Sequence, residues 1–210
     1  MNEVIDYSKI AFDKTLYVGT VCEVMAENAI NENKDNLCAK LVKGTTILLD
    51  AVEAGLSDPY DTRLYLGKDN NKERAWYPME TKAAENGGKF PNFFAETISM
   101  KSNCYPEYLV HPPTFMCWVD SLSNDLYFYD AEVLIAYLKE MFQYSFPNKY
   151  KTAKGLLFGC EDVSKGFICK VSSTLSFSET AEKHKAEIKR RMNKGKVAPY
   201  HKMAPGFPNL

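Results

Sequence analysis

The stretch DTRLYLGKDNNKERAWYPMETKA, residues 61–83, decides how this chain folds. Apolar and polar residues alternate along DTRLYL, the polar run GKDNNKE interrupts them, and RAWYPMETKA resumes the β character. Two β-prone runs around a polar turn predict a hairpin. Pro78 has no N–H to give to a neighbouring strand, so it belongs at an edge or a bulge of the second strand. Side chains two apart on a strand share a face, so Glu80 and Lys82 project together while Met79 and Thr81 point the other way. Asp61, at the head of the first strand, stands across the hairpin from them. An exposed ion pair would explain Glu80 and Lys82, and such pairs contribute only about 0–1 kcal/mol. A site of chemistry is the other explanation.

Upstream, residues 18–33 carry Val18, Val21, Cys22, Met25 and Ala29 at helical spacing, which predicts a helix with one apolar stripe. At about 100° per residue Glu27 falls opposite that stripe, in solvent, and Glu23 falls at its margin. Residues 45–54 fit a helix end or a short strand equally well, and GLSDPYD at 55–61 is turn chemistry. Downstream, residues 83–91 read as a loop, and NFFAETISM, FMCWVD and LYFY as strands. Asp130 is set to cap the helix AEVLIAYLKEMFQ, and 156–177 has the pattern of another hairpin. The expected fold is α/β, a mixed central β-sheet flanked by helices with a basic C-terminal extension. The composition shift divides the chain into 1–178 and a basic helix with a flexible tail at 179–210.

With 45% hydrophobic and 25% charged residues, the chain has the composition of a soluble domain. A net charge of −1 excludes a protein that coats polyanions with its whole surface, so any nucleic-acid contact must come from a local cluster. The 183–196 segment, with Lys183, Lys185, Lys189, Arg190, Arg191 and Lys194, offers one, or else a solvated helix face. The six cysteines form no C-x-x-C pair, which points to reduced thiols. MNEVIDYSKI does not read as a signal peptide, and no run of eighteen apolar residues occurs, so the expectation is a cytoplasmic protein with no membrane partner. LVKGTTILLD lacks the upstream glycine of a P-loop, and the three histidines are scattered. The aromatics Trp76, Tyr77, Phe93, Phe94, Trp118 and those of 127–129 are expected in the core.

Metal-assisted hydrolysis of a phosphodiester needs hard oxygen ligands for Mg²⁺ and a group to position the attacking water. The arrangement of Asp61, a hairpin, then Glu80-Thr81-Lys82 resembles the active-site signature of the PD-(D/E)xK nuclease superfamily, the restriction-endonuclease-like proteins. The resemblance spans residues 15–143, from the helix that carries Glu23 to LYFYDAEVLIAYLK. It departs from the pattern in having Tyr60, not proline, before Asp61, and in a competing Asp58 beside Pro59. The resemblance implies Mg²⁺ or Mn²⁺ held by Asp61, Glu80 and the carbonyl of Thr81, with Lys82 orienting the water. Glu23 would act from the helix through water or behind the ligands, and Glu96 is a further candidate ligand or orienting group. The implied substrate is DNA, and the sequence leaves monomer and homodimer open. A non-catalytic DNA-binding or protein-interaction domain on the same fold is the alternative.

Overall fold

The computed structural model describes residues 7–41, 46–55, 58–68, 71–84, 92–100, 103–148, 151, 153–194 and 201–202. Most of the expected loop at 83–91 and the tail beyond Lys194, except for 201–202, lie outside them. Helices α1 (Tyr7–Glu32) and α2 (Lys34–Leu41) precede strands β1 (Thr46–Glu53), β2 (Thr62–Lys68), β3 (Asn71–Ala83), β4 (Asn92–Ser99) and β5 (Cys104–Tyr105). The short helix α3 (Glu107–Val110), β6 (Phe115–Asp120), β7 (Asp125–Asp130) and α4 (Ala131–Glu140) follow. The chain ends with β8 (Phe146–Pro147), β9 (Ala153–Gly159), β10 (Phe167–Ser172), α5 (Phe177–Lys183), α6 (Lys185–Lys194) and β11 (His201–Lys202).

The hairpin forms as its alternation predicts, with Thr62 opposite Met79 and Leu66 opposite Ala75. The segment at 45–54, open between helix and strand, is β1, antiparallel to β2. β6 then lies parallel to β3, and the first sheet runs β1-β2-β3-β6-β7-β10. It is therefore a mixed sheet flanked by helices. Pro78 sits inside this sheet, neither at its edge nor at a bulge. Its missing N–H costs nothing there, because β6 begins to pair only at Met79, and the Pro78 carbonyl accepts from Thr114 N–H at 2.9 Å.

All six residues of β6 are buried, so both faces of the sheet are covered. On one face Met79, Phe115, Cys117, Val119, Leu126 and Phe128 pack beneath Cys22, Met25, Ala29 and Ile30 of α1. On the other, Met116, Trp118 and Tyr129 meet Phe93, Ala95, Leu156 and Phe158 from a second sheet, ordered β11-β5-β4-β9-β8, together with α4. This second sheet was not anticipated. Alternation identifies NFFAETIS as a strand without saying which sheet it joins. The hairpin expected at 156–177 is likewise corrected: β9 pairs with β4 and β8, whereas β10 pairs with β7. Asp130 does cap α4, accepting from the Val133 N–H at 3.2 Å.

Glu27 is also corrected. It is only 7% exposed, because α1 has a second packing partner on the side the apolar stripe leaves open. Ile188 of α6 packs with Val21 and Val24 of α1, and Phe177 and Ala181 of α5 join them. Arg191 of α6 donates to both Glu27 oxygens, at 3.0 and 2.7 Å, and the Thr62 hydroxyl donates to Oε1 at 3.2 Å. Burial raises the Glu27 carboxyl above the usual carboxylate range, against the opposing pull of Arg191. A buried charge that loses its partner is strongly destabilising, by about 3–5 kcal/mol. Arg191→Met should therefore cost stability on that scale in denaturant unfolding. Combining it with Glu27→Leu should restore much of the loss. Equal, small effects of the single and double variants would show that the pair does not hold α6 in place.

Candidate active site

The geometry of the site follows from where β2 ends. β2 pairs with β3 no further than Thr62 opposite Met79, while β3 runs on to Ala83 with β6 on its other side. Backbone groups along a strand alternate in direction. The Pro78 carbonyl and the Ala84 N–H both serve the β6 side. Thr81 therefore turns its N–H and carbonyl toward the gap that β2 leaves. Asp61, the residue just before β2, fills that gap: its Oδ2 accepts from the Thr81 N–H at 2.9 Å.

Opposite residues in an antiparallel pair share a face, and the register that sets Thr62 against Met79 brings Asp61 against Glu80. Both belong to the face turned toward the second sheet, since Glu80 neighbours Met116 and Lys82 neighbours Trp118. Lys82 donates from its ammonium to Glu80 Oε1. This is not an exposed surface pair. Glu80 is 8% exposed and Asp61 9%, while the Lys82 side chain keeps 38% of its surface open. Burial works against the Lys82 charge, but the Glu80 and Asp61 carboxylates outweigh it and hold the ammonium well above its usual range. Lys82 is a cation at neutral pH. The ring of Tyr108, from α3, lies 5.4 Å from its ammonium. Tyr60 also borders the site: burial first, then the charges of Glu107, Asp58 and Glu80, raise its phenol.

The structure thus brings Asp61, Glu80, Thr81 and Lys82 together. The Thr81 side chain points to the α1 face, where its hydroxyl is buried without a hydrogen-bond partner among the described residues. Glu23 is not brought to them. It stands on α1, across the sheet from Glu80 and Lys82, 3.9 Å from Arg191. Asp58 is held by its turn, accepting from Arg63 at 2.8 and 2.9 Å and from the Gly55 N–H at 2.7 Å. Glu96 lies on β4 in the second sheet, opposite Gly155, and its backbone carbonyl accepts from the Tyr108 hydroxyl.

The basic cluster divides in two. Arg191 is inside, bound to Glu27 and Glu187, and Arg190 bonds Glu187 and Glu53. Lys194 lies 3.5 Å from Glu53. Lys183, Lys185 and Lys189 are exposed, and Lys185 lies 3.8 Å from the exposed Glu182. All six stand on helices that pack against α1, across the sheet from Lys82.

Among the described residues, no group of three or more His, Cys, Asp and Glu side chains could hold a metal ion, and no helix is long and apolar enough to cross a membrane. Sequence reasoning missed Tyr108. Its contact with Lys82 joins the short helix α3 to β3, and no spacing rule reaches that far. Compared with known protein families, curated proteins and solved structures, the chain matches none.

Asp61 caps the overhanging edge of β3, and a hydrogen bond to a charged acceptor contributes about 1.5–3 kcal/mol. Asp61→Ala should lower stability on that scale and speed amide exchange at Thr81, measured by NMR. Unchanged protection at Thr81 would show that Asp61 does not hold this edge.

Proposed function

We propose that this protein is a divalent-metal-dependent nuclease that hydrolyses phosphodiester bonds in DNA, built on a restriction-endonuclease-like core of the PD-(D/E)xK kind. One observation carries the reading: where β2 ends, Asp61 comes against Glu80, with Lys82 on the same face. A near-buried carboxylate is expensive to keep as surface decoration, and two of them beside one cation suit a polar reaction site better than a solvated strand.

The residues fit a magnesium-type ion. Mg²⁺ usually takes one or two carboxylates and keeps several waters, so it needs no three-residue protein cage. Asp61 and Glu80 would hold it, with the Thr81 carbonyl, which opens on the same gap. Each carboxylate has two oxygens and about four acceptor sites, so the bonds to Thr81 and Lys82 do not exhaust them. When bound, Mg²⁺ or Mn²⁺ supplies Lewis acidity toward a phosphoryl oxygen and makes water a better nucleophile at neutral pH. Lys82, held protonated by its neighbours, is a donor and not a base. It orients the attacking water and stabilises the charge that grows on the phosphoryl oxygens. Its part-exposed side chain leaves a route for a phosphate to approach. Lys183, Lys185 and Lys189 are the exposed members of the basic cluster, but they stand across the sheet from Lys82, so any sequence-independent phosphate contacts they supply lie away from the bond being cleaved. Arg190, Arg191 and Lys194 serve the fold instead, through the acidic partners they already have. Glu23, beside Arg191, belongs with them.

The test pairs calorimetric metal titration with cleavage of plasmid and linear single-stranded DNA in Mg²⁺, Mn²⁺ or EDTA. Glu80→Ala should lose both metal binding and cleavage. Lys82→Ala should keep metal binding, with turnover falling about a hundredfold, or roughly 2.7 kcal/mol of transition-state stabilisation. Near-parental cleavage by both variants, or a parent inert with either metal, would overturn the reading.

A further inference from the structure

Lys82 raises a problem that its ion pair with Glu80 does not solve. A lysine carries its charge on a flexible four-carbon stem, and a nuclease needs that charge in one place. Once Glu80 turns its carboxylate to a metal, it no longer holds Lys82 alone. A further carboxylate beside the ammonium would compete for the same ion. A neutral holder would not.

Tyr108 has that chemistry. Its ring lies 5.4 Å from the Lys82 ammonium, within the range of a cation–π contact. The ring cannot swing away easily. Tyr108 is 3% exposed, Leu109 beside it is fully buried, and the Tyr108 hydroxyl is tied to the Glu96 carbonyl on β4. The second sheet, through β4, thereby braces a ring that faces the first. We infer that Tyr108 is a positioning residue of the Asp61–Glu80–Lys82 site, whose ring face fixes the Lys82 ammonium without adding a negative charge. The catalytic part of this inference rests on the nuclease reading, but the placement of Lys82 can be measured without it.

Proton NMR of the full chain provides that measurement. Protons above an aromatic face shift upfield, so the Lys82 ε-methylene signals should lie upfield of those of the other lysines. Tyr108→Phe, which keeps the ring, should retain the shift, and Tyr108→Leu should lose it. In the cleavage assay Tyr108→Leu should lower kcat about tenfold to a hundredfold with little change in KM, and Tyr108→Phe should recover most of the loss. Amide spectra would verify that each variant is folded. Lys82 signals without an upfield shift in the parent would overturn the inference even if Tyr108→Leu failed to fold. An unchanged shift in folded Tyr108→Leu would overturn it too, as would a loss of kcat in Tyr108→Phe equal to that in Tyr108→Leu. If the parent cleaves nothing, the nuclease reading falls, and the chemical shift alone still decides whether Tyr108 places Lys82.

Discussion

β6 is buried on both faces along its whole length, and that constraint shapes the rest of the molecule. A strand of this kind cannot face water on either side, so it demands two covering layers. Helix α1 supplies one. The second sheet, with α4, supplies the other through an aromatic packing in which Trp118 stacks on Phe93 at 5.8 Å and meets Phe158 edge-on at 5.1 Å. The same register that hides Met116 and Trp118 under the second layer puts Glu80 and Lys82 on that face. The polar cluster therefore stands where the covering layer meets the overhanging part of β3.

Two ionic centres result, one on each side of the sheet, and they do different work. On the α1 side, Arg191 joins Glu27 and Glu187 and fastens α6 to the core. Glu23, Glu27, Glu53 and Glu187 there meet Arg190, Arg191 and Lys194 at close range. Near Lys82, the Asp61 and Glu80 carboxylates both act on one ammonium. On the proposed reading, a divalent cation held by the two carboxylates would stabilise the folded state by mass action.

What could be read from the sequence was local. The hairpin, α1, α4 with its Asp130 cap, and the shared face of Glu80 and Lys82 all follow from periods of 2 or 3.6 residues and from capping chemistry. Asp61 could be placed across the hairpin from Glu80, but their exact register depends on an irregularity between Leu66 and Lys68 that alternation does not announce. The rest depends on contacts between distant segments. Periodicity put Glu27 in solvent because it describes one face of a helix and says nothing about α6 arriving 164 residues later. The split of β9 and β10 between two sheets, and the reach of Tyr108 to Lys82, are non-local in the same way. The arginines of the basic run looked available because the acidic partners that occupy them include Glu53 and Glu27, from far earlier in the chain.

The central claim is that Asp61 and Glu80 share a divalent cation. Anomalous scattering from crystals soaked in Mn²⁺ tests it most directly. Expected is one peak bonded to a carboxylate oxygen of each residue at about 2.1 Å, the distance of a small octahedral cation, with Lys82 beside it. A fully soaked crystal with no peak there, Asp61 still capping Thr81 and Glu80 still holding Lys82, would contradict it.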